Sequence, residues 1–173
     1  RAEMRQPTVA DEPPPLPLPS VFKTLVVPVP RAVAFELFTR HANRWWSPLV
    51  GASPTDSPWS EIVLETQVPG RWYEADADGA LHEWGIVVAA APPERILVDW
   101  RLKKWTRDIP TELELCFVEI NERTTRLTLE HRTLDASAAD HREAHDAARR
   151  AWTGLLPRFA NLCARVAALD RRA

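Results

Sequence analysis

The sequence predicts one α+β domain in which a curved antiparallel sheet wraps around a long C-terminal helix. Three observations carry that expectation. From Ser60 onward, apolar residues alternate with period two through six short-looped segments, the pattern of an antiparallel meander. From Ala138 to Ala168 they recur at helical spacing, through Ala148, Trp152, Leu155, Leu156, Phe159, Leu162, Cys163 and Val166, and on to Leu169. Eight tryptophans occur in 173 residues, and Trp72, Trp84 and Trp100 fall one each on three consecutive candidate strands. A sheet and a helix with one apolar face each bury those faces most simply against each other.

The elements follow in order. Residues 1–19 hold the run Asp11-Glu12-Pro13-Pro14-Pro15-Leu16-Pro17-Leu18-Pro19 and read as an extended, disordered leader. The domain is expected over residues 20–170. Val21 to Val27 is rich in apolar and β-branched residues and reads as the first strand. Pro28 and Pro30 end it, and Pro30 can open a helix from Arg31 to Thr39. A second short helix is expected from His41 to Trp46, then a loop from Ser47 to Pro58. The meander strands are Ile62 to Val68, Arg71 to Ala75, Leu81 to Ala90, Arg95 to Lys103, Thr111 to Ile120 and Thr125 to Arg132. Between the second and third of these, Asp76-Ala77-Asp78-Gly79 supplies the positive φ that a tight hairpin needs. Pro157, with Gly154 nearby, predicts a kink or break of the last helix at Thr153–Pro157, at a cost of about 3 kcal/mol if uncompensated. The two short helices are expected to plug one end of the trough.

Composition narrows the function. With 22 Lys+Arg against 24 Asp+Glu, the formal net charge is −2. That is not the clustered basic excess of a nucleic-acid binder. No apolar run approaches the roughly 18 residues of a membrane span. Residues 1–20 show no continuous apolar segment of a secretory signal. Cys116 and Cys163, in a chain without that signal, read as reduced core thiols. A cytoplasmic location is the expectation. There is no glycine-rich phosphate loop, since the five glycines are unclustered, and no Ser-centred nucleophile elbow.

Particular segments resemble a known family. They are Arg44-Trp45-Trp46-Ser47-Pro48, Pro69-Gly70-Arg71-Trp72 and Pro92-Pro93-Glu94-Arg95-Ile96 with Trp100 five residues beyond Arg95. Thr125 to His131, and Trp152 with Leu155, Leu156 and Phe159, complete the set. Over Val21 to Ala168 this resembles the START-like helix-grip (SRPBCC) superfamily, in the branch named for the C-terminal domain of the heat-shock-protein-90 ATPase activator. The resemblance implies a helix-grip fold with a cavity between the sheet and the last helix, open near the short helices. It carries over no catalytic residue and no cofactor. Members include lipid and hormone binders, polyketide cyclases and co-chaperone domains.

The leading expectation is therefore binding of a small apolar or aromatic molecule. The wall candidates are Trp45, Trp72, Trp84, Trp100, Phe117 and Trp152, and His131 and His82 are the polar contacts that would orient the ligand. The phase of the third meander strand is ambiguous: Trp84 and Ile86 align with His82, Gly85 and Val87 with Glu83, and His82 is assigned to the Trp84 face. Trp72 would point away from the trough if its strand were shifted by one residue. A cyclase or dehydratase is the second reading, with His82 or His131 near Glu74 and Arg71 as raw material for proton transfer. A co-chaperone-like interaction domain is the third, disfavoured because Glu112, Glu114 and Glu130 point outward. A fourth has the cavity filled by its own side chains. His141 and His145 share a helix face, but Glu143 between them points away and no third ligand is evident, so no metal is expected. An exposed sheet edge leaves a homodimer open.

Overall fold

The computed structural model describes residues 19–46, 60–101, 109–134 and 137–172. Strand β1 spans Val21–Val27, helix α1 Arg31–Thr39, and a 3-10 turn Ala42–Arg44. Strands β2 (Glu61–Leu64), β3 (Gly70–Ala75), β4 (Leu81–Ala91), β5 (Arg95–Trp100), β6 (Thr111–Asn121) and β7 (Thr124–Thr133) follow, and helix α2 covers Ala138–Asp170. The seven strands form one sheet in the order β1-β7-β6-β5-β4-β3-β2, with antiparallel neighbours throughout. This is the expected α+β architecture, a curled sheet gripping a long helix.

Alternation selects the face. On β6 and β7, Leu113, Leu115, Phe117, Leu127, Leu129 and His131 are buried against α2, and on β5 Ile96, Val98 and Trp100. Glu112, Glu114 and Glu130 sit on the other face, where Arg132 bonds Glu112 at 2.6 Å, Glu114 at 3.1 Å and Glu130 at 3.3 Å. Burial alone would raise the Glu114 carboxyl, but hydrogen bonds from Arg95 and Arg132 outweigh it and hold the group below its ordinary range. Cys116 shares this outer face and is half-buried, so only Cys163 is a core thiol as expected.

Helix α2 is capped by Ser137, whose hydroxyl accepts from the Asp140 N–H. Its assignment runs through Pro157 without a break. The expected break is absent, and Thr153, Gly154 and Pro157 all lie on the exposed face. The Thr153 carbonyl that proline leaves without a donor is therefore open to water rather than buried.

Three boundaries differ from expectation. Strand β2 stops at Leu64, because Glu65 turns its carboxylate to the Arg71 N–H at 2.9 Å and gives its carbonyl to the Trp72 indole at 3.0 Å. The second short helix is one 3-10 turn, Ala42–Arg44. Strand β5 ends at Trp100. Leu102, Lys103 and Trp105, the loop 47–58, Trp59 and the leader through residue 18 lie outside the described residues. No helix among the described residues is long and apolar enough to cross a membrane.

Candidate functional site

Indoles from four different elements pack together between sheet and helix. Trp72 (β3), Trp84 (β4), Trp100 (β5) and Trp152 (α2) are buried essentially completely, as are Trp45 and Trp46 just after the 3-10 turn. Trp45 is set by its own N–H, which donates to the carbonyls of Leu37 at 3.1 Å and Phe38 at 3.3 Å. Arg158 of α2 donates to the Trp45 carbonyl at 2.8 Å, which fastens the short elements to the helix. Phe38 packs on Trp45, Phe117 and Phe159, so α1 closes one end of the trough as expected. Phe117 faces the same interior, 5.3 Å from Phe35.

The sequence reading chose Trp45 for the wall and passed over its neighbour. Trp46 lies in the middle of the aromatic set: 4.9 Å from Trp84, 5.4 Å from Trp152, 5.3 Å from Trp45 and 6.4 Å from Trp100, centroid to centroid. Two adjacent buried tryptophans outside any strand were the available signal, since no alternation forces one of such a pair outward.

The phase of β4 is decided by a bulge. Trp72 pairs with Gly85 but Tyr73 pairs with Glu83, so Trp84 is one residue extra. A bulge places two successive residues opposite one partner. Trp84 and Gly85 are accordingly both buried, and His82 and Val87 share their face although they differ in parity. The Trp84 carbonyl accepts from the Arg101 N–H at this point. Its indole N–H is buried and has no hydrogen-bond acceptor among the described residues. Such a donor normally finds a partner. Trp72 points inward, edge-on to Trp100 at 6.3 Å, so its strand is not shifted.

His131 forms the polar centre of the trough wall. The Trp152 indole can only donate, so its 3.2 Å contact makes His131 Nδ1 the acceptor. The proton of the neutral ring then sits on Nε2, which donates to Thr111 Oγ1 at 2.9 Å, and that hydroxyl donates to the Trp100 carbonyl at 3.5 Å. Burial, with the Arg132 charge as a second cause, pushes the His131 pKa down to about 3. The ring is therefore neutral at ordinary pH, held as a structural link between α2, β7, β6 and β5.

The remaining polar candidates separate. His82 is partly exposed and bonds Asp76 at 2.9 Å, and that hydrogen bond holds the Asp76 carboxyl below its ordinary range. Arg71 lies outside, over the Tyr73 ring and beside Glu65. Glu74 is fully buried, paired through the backbone with Ile62 and His82 and therefore on the inner face. His141 and His145 stack at 6.1 Å, and burial followed by the His145 charge lowers the His141 pKa. No group of three or more His, Cys, Asp or Glu side chains among the described residues could hold a metal ion.

A seven-stranded sheet curled around a C-terminal helix and lined with aromatic residues defines the SRPBCC class of fold. The chain belongs to the Activator of Hsp90 ATPase homolog 1-like family, whose model matches residues 28–164. There is no match among curated proteins. Of solved structures, it is similar to the self-sacrificing resistance protein CalC of Micromonospora echinospora, at 23% identity and TM-score 0.65, over 84% of this chain and 94% of that one. It is similar to the anthrahydroquino-γ-pyrone synthase Txn09, at 29% identity and TM-score 0.56, over 84% and 97%. An Hsp90 activator from Plasmodium falciparum shares the fold at 20% identity and TM-score 0.52, over 79% and 90%.

Proposed function

We propose that this protein binds a planar, largely apolar aromatic molecule between the sheet and α2. The observation that carries the reading is the buried Trp84 N–H, which has no acceptor among the described residues while surrounded by aromatic faces. A ring carbonyl or ether oxygen on a flat ligand would satisfy it, and the indoles would stack on the remainder. The likeness to Txn09, whose name gives an anthrahydroquino-γ-pyrone as its product, supports the same ligand class. His131 serves as a positioning residue in this reading, because both its ring nitrogens are engaged within the protein. Tryptophan fluorescence and calorimetric titration with tricyclic quinones, steroids and acyl chains test it. Saturable binding of the quinones, weakened about fivefold by Trp84→Phe for loss of one hydrogen bond, is expected. Equal or absent binding of all three classes would refute it.

A second reading, a cyclase-like enzyme, draws on Glu74. Glu74 is a carboxyl group buried on the inner face of β3, opposite His82, where a general base for a bound molecule would have to sit. In this reading Glu74 takes the proton from an enolisable carbon of the bound molecule. Turnover lost in Glu74→Gln, with binding retained, would distinguish an enzyme from a binding protein; binding without turnover in the unsubstituted protein would exclude it for that ligand.

A further inference from the structure

We infer that Trp46 is the specificity-determining residue of this site: an internal occupant holding the place that a ligand ring takes, so that its position sets the size of molecule admitted. The inference rests on the binding reading above. Its basis is the geometry of one side chain. The walls are built from regular elements, with Trp72, Trp84 and Trp100 on strands and Trp152 on α2. Trp46 comes from neither sheet nor helix; it follows the 3-10 turn, and its backbone N–H donates to the Ala42 carbonyl at 2.8 Å.

Its ring adopts toward each wall the arrangement expected of a bound aromatic. It lies 27° from parallel to Trp100, tilted 39° to Trp84, and edge-on to Trp152 at 82°. Offset stacking on one side with an edge contact on the other is the preferred packing of a flat π system. Displacing the side chain would vacate a bicyclic-sized space, and Trp46 lies on no strand whose hydrogen bonds would be lost. The walls left behind would include the buried Trp84 N–H. Small ligands would thus compete with the indole, and only those gaining more than it loses would enter.

The test compares the unsubstituted protein with Trp46→Ala and the milder Trp46→Leu, each checked for folding by circular dichroism. Calorimetry with indole and naphthalene should show binding to the variants at least tenfold tighter than to the unsubstituted protein. Folded variants with no gain would overturn the inference. Failure of both variants to fold would do so too, because a side chain the fold cannot spare is a strut and not a displaceable occupant. In parallel, the protein carrying 5-fluorotryptophan is saturated with anthraquinone-2-sulfonate, and the Trp46 signal is assigned with Trp46→Phe. A shift of that resonance to a solvent-exposed position supports displacement. Binding with the Trp46 signal unmoved overturns the inference but leaves the binding reading standing. A gain for bicyclics in the variants, without quinone binding by the unsubstituted protein, supports the plug and defeats the binding reading.

Discussion

The indole N–H of Trp152 donates to Nδ1 of His131 across 3.2 Å, joining the middle of α2 to the end of β7. This bond requires the imidazole to be neutral, and burial keeps it so by pushing the pKa down to about 3 from an ordinary 6.5. The unfolded chain therefore binds the extra proton at a higher pH than the folded one. The stability linked to His131 is complete above about pH 6.5 and is lost as the pH falls toward 3. Between about pH 6.5 and 4 the loss should reach about 3 kcal/mol, near 1.4 kcal/mol per unit. His141, also held low, adds a slope of the same sign. Urea unfolding at half-unit pH steps measures the total. In His131→Phe the protein should be less stable at pH 7 and its slope shallower; an unchanged slope would mean that His131 is not the titrating group.

Gly85 should be poorly replaceable even by alanine. A Cβ added there would lie 2.6 Å from Val98 Cγ1 and 3.1 Å from the Asp99 carbonyl oxygen. Gly85→Ala should destabilise by about 1–3 kcal/mol, as overpacking does. Val98→Ala removes the first obstacle and leaves the second, so the double variant should be more stable than the sum of the two single effects predicts. Because Gly85 follows the bulged Trp84, quenching of Trp84 fluorescence should change as well. Simple additivity in urea midpoints would argue that the strand relaxes around the new methyl.

How much of this was legible in the sequence depended on whether alternation held. Where a strand is regular, period two assigned the face correctly: Val98 with Trp100, Leu113 with Leu115 and Phe117, and Leu127 with Leu129 and His131 are all buried. On β4 the bulge at Trp84 adds a residue without any compositional mark, and both parity assignments held for part of the strand. The placement of His82 on the Trp84 face agrees with the register, but its partner is the local Asp76 and not a neighbour in the trough. Trp46 was not singled out because no period governs a residue following a 3-10 turn. Pro157 does not break the helix for a different reason: a proline leaves the carbonyl four residues back without a donor, and the cost depends on whether that carbonyl meets water, a tertiary property.

Asn43 should control the edge strand β2. Its side-chain oxygen accepts from the Ile62 N–H at 2.7 Å, and its amide donates to the Ile62 carbonyl at 3.3 Å. The side chain thus supplies the two hydrogen bonds a neighbouring strand would have made, on the side of β2 away from β3. Asn43→Ala should leave the rest of the fold intact and raise the amide exchange rate of Ile62 by tenfold or more, with a global loss of about 1 kcal/mol. Asn43→Asp keeps the acceptor and should show a smaller rise. Uniform acceleration across all strands would instead place Asn43 in the global folding unit.

The two thiols should differ in reactivity by their surroundings. Cys163 is fully buried on α2, and burial pushes its pKa up to about 12. Cys116 is raised as well, by burial and then by the Glu114 charge, but it is half-buried on the outer face. The thiolate is the reactive form. At pH 8 N-ethylmaleimide should modify Cys116 slowly and leave Cys163 untouched in the native protein. Modification of Cys163 then requires the helix to leave the sheet, so its rate across a urea series should follow global unfolding. Mass spectrometry of the labelled peptides separates the two sites. Equal labelling in the absence of urea would mean that α2 detaches locally, and the aromatic trough would then open without global unfolding.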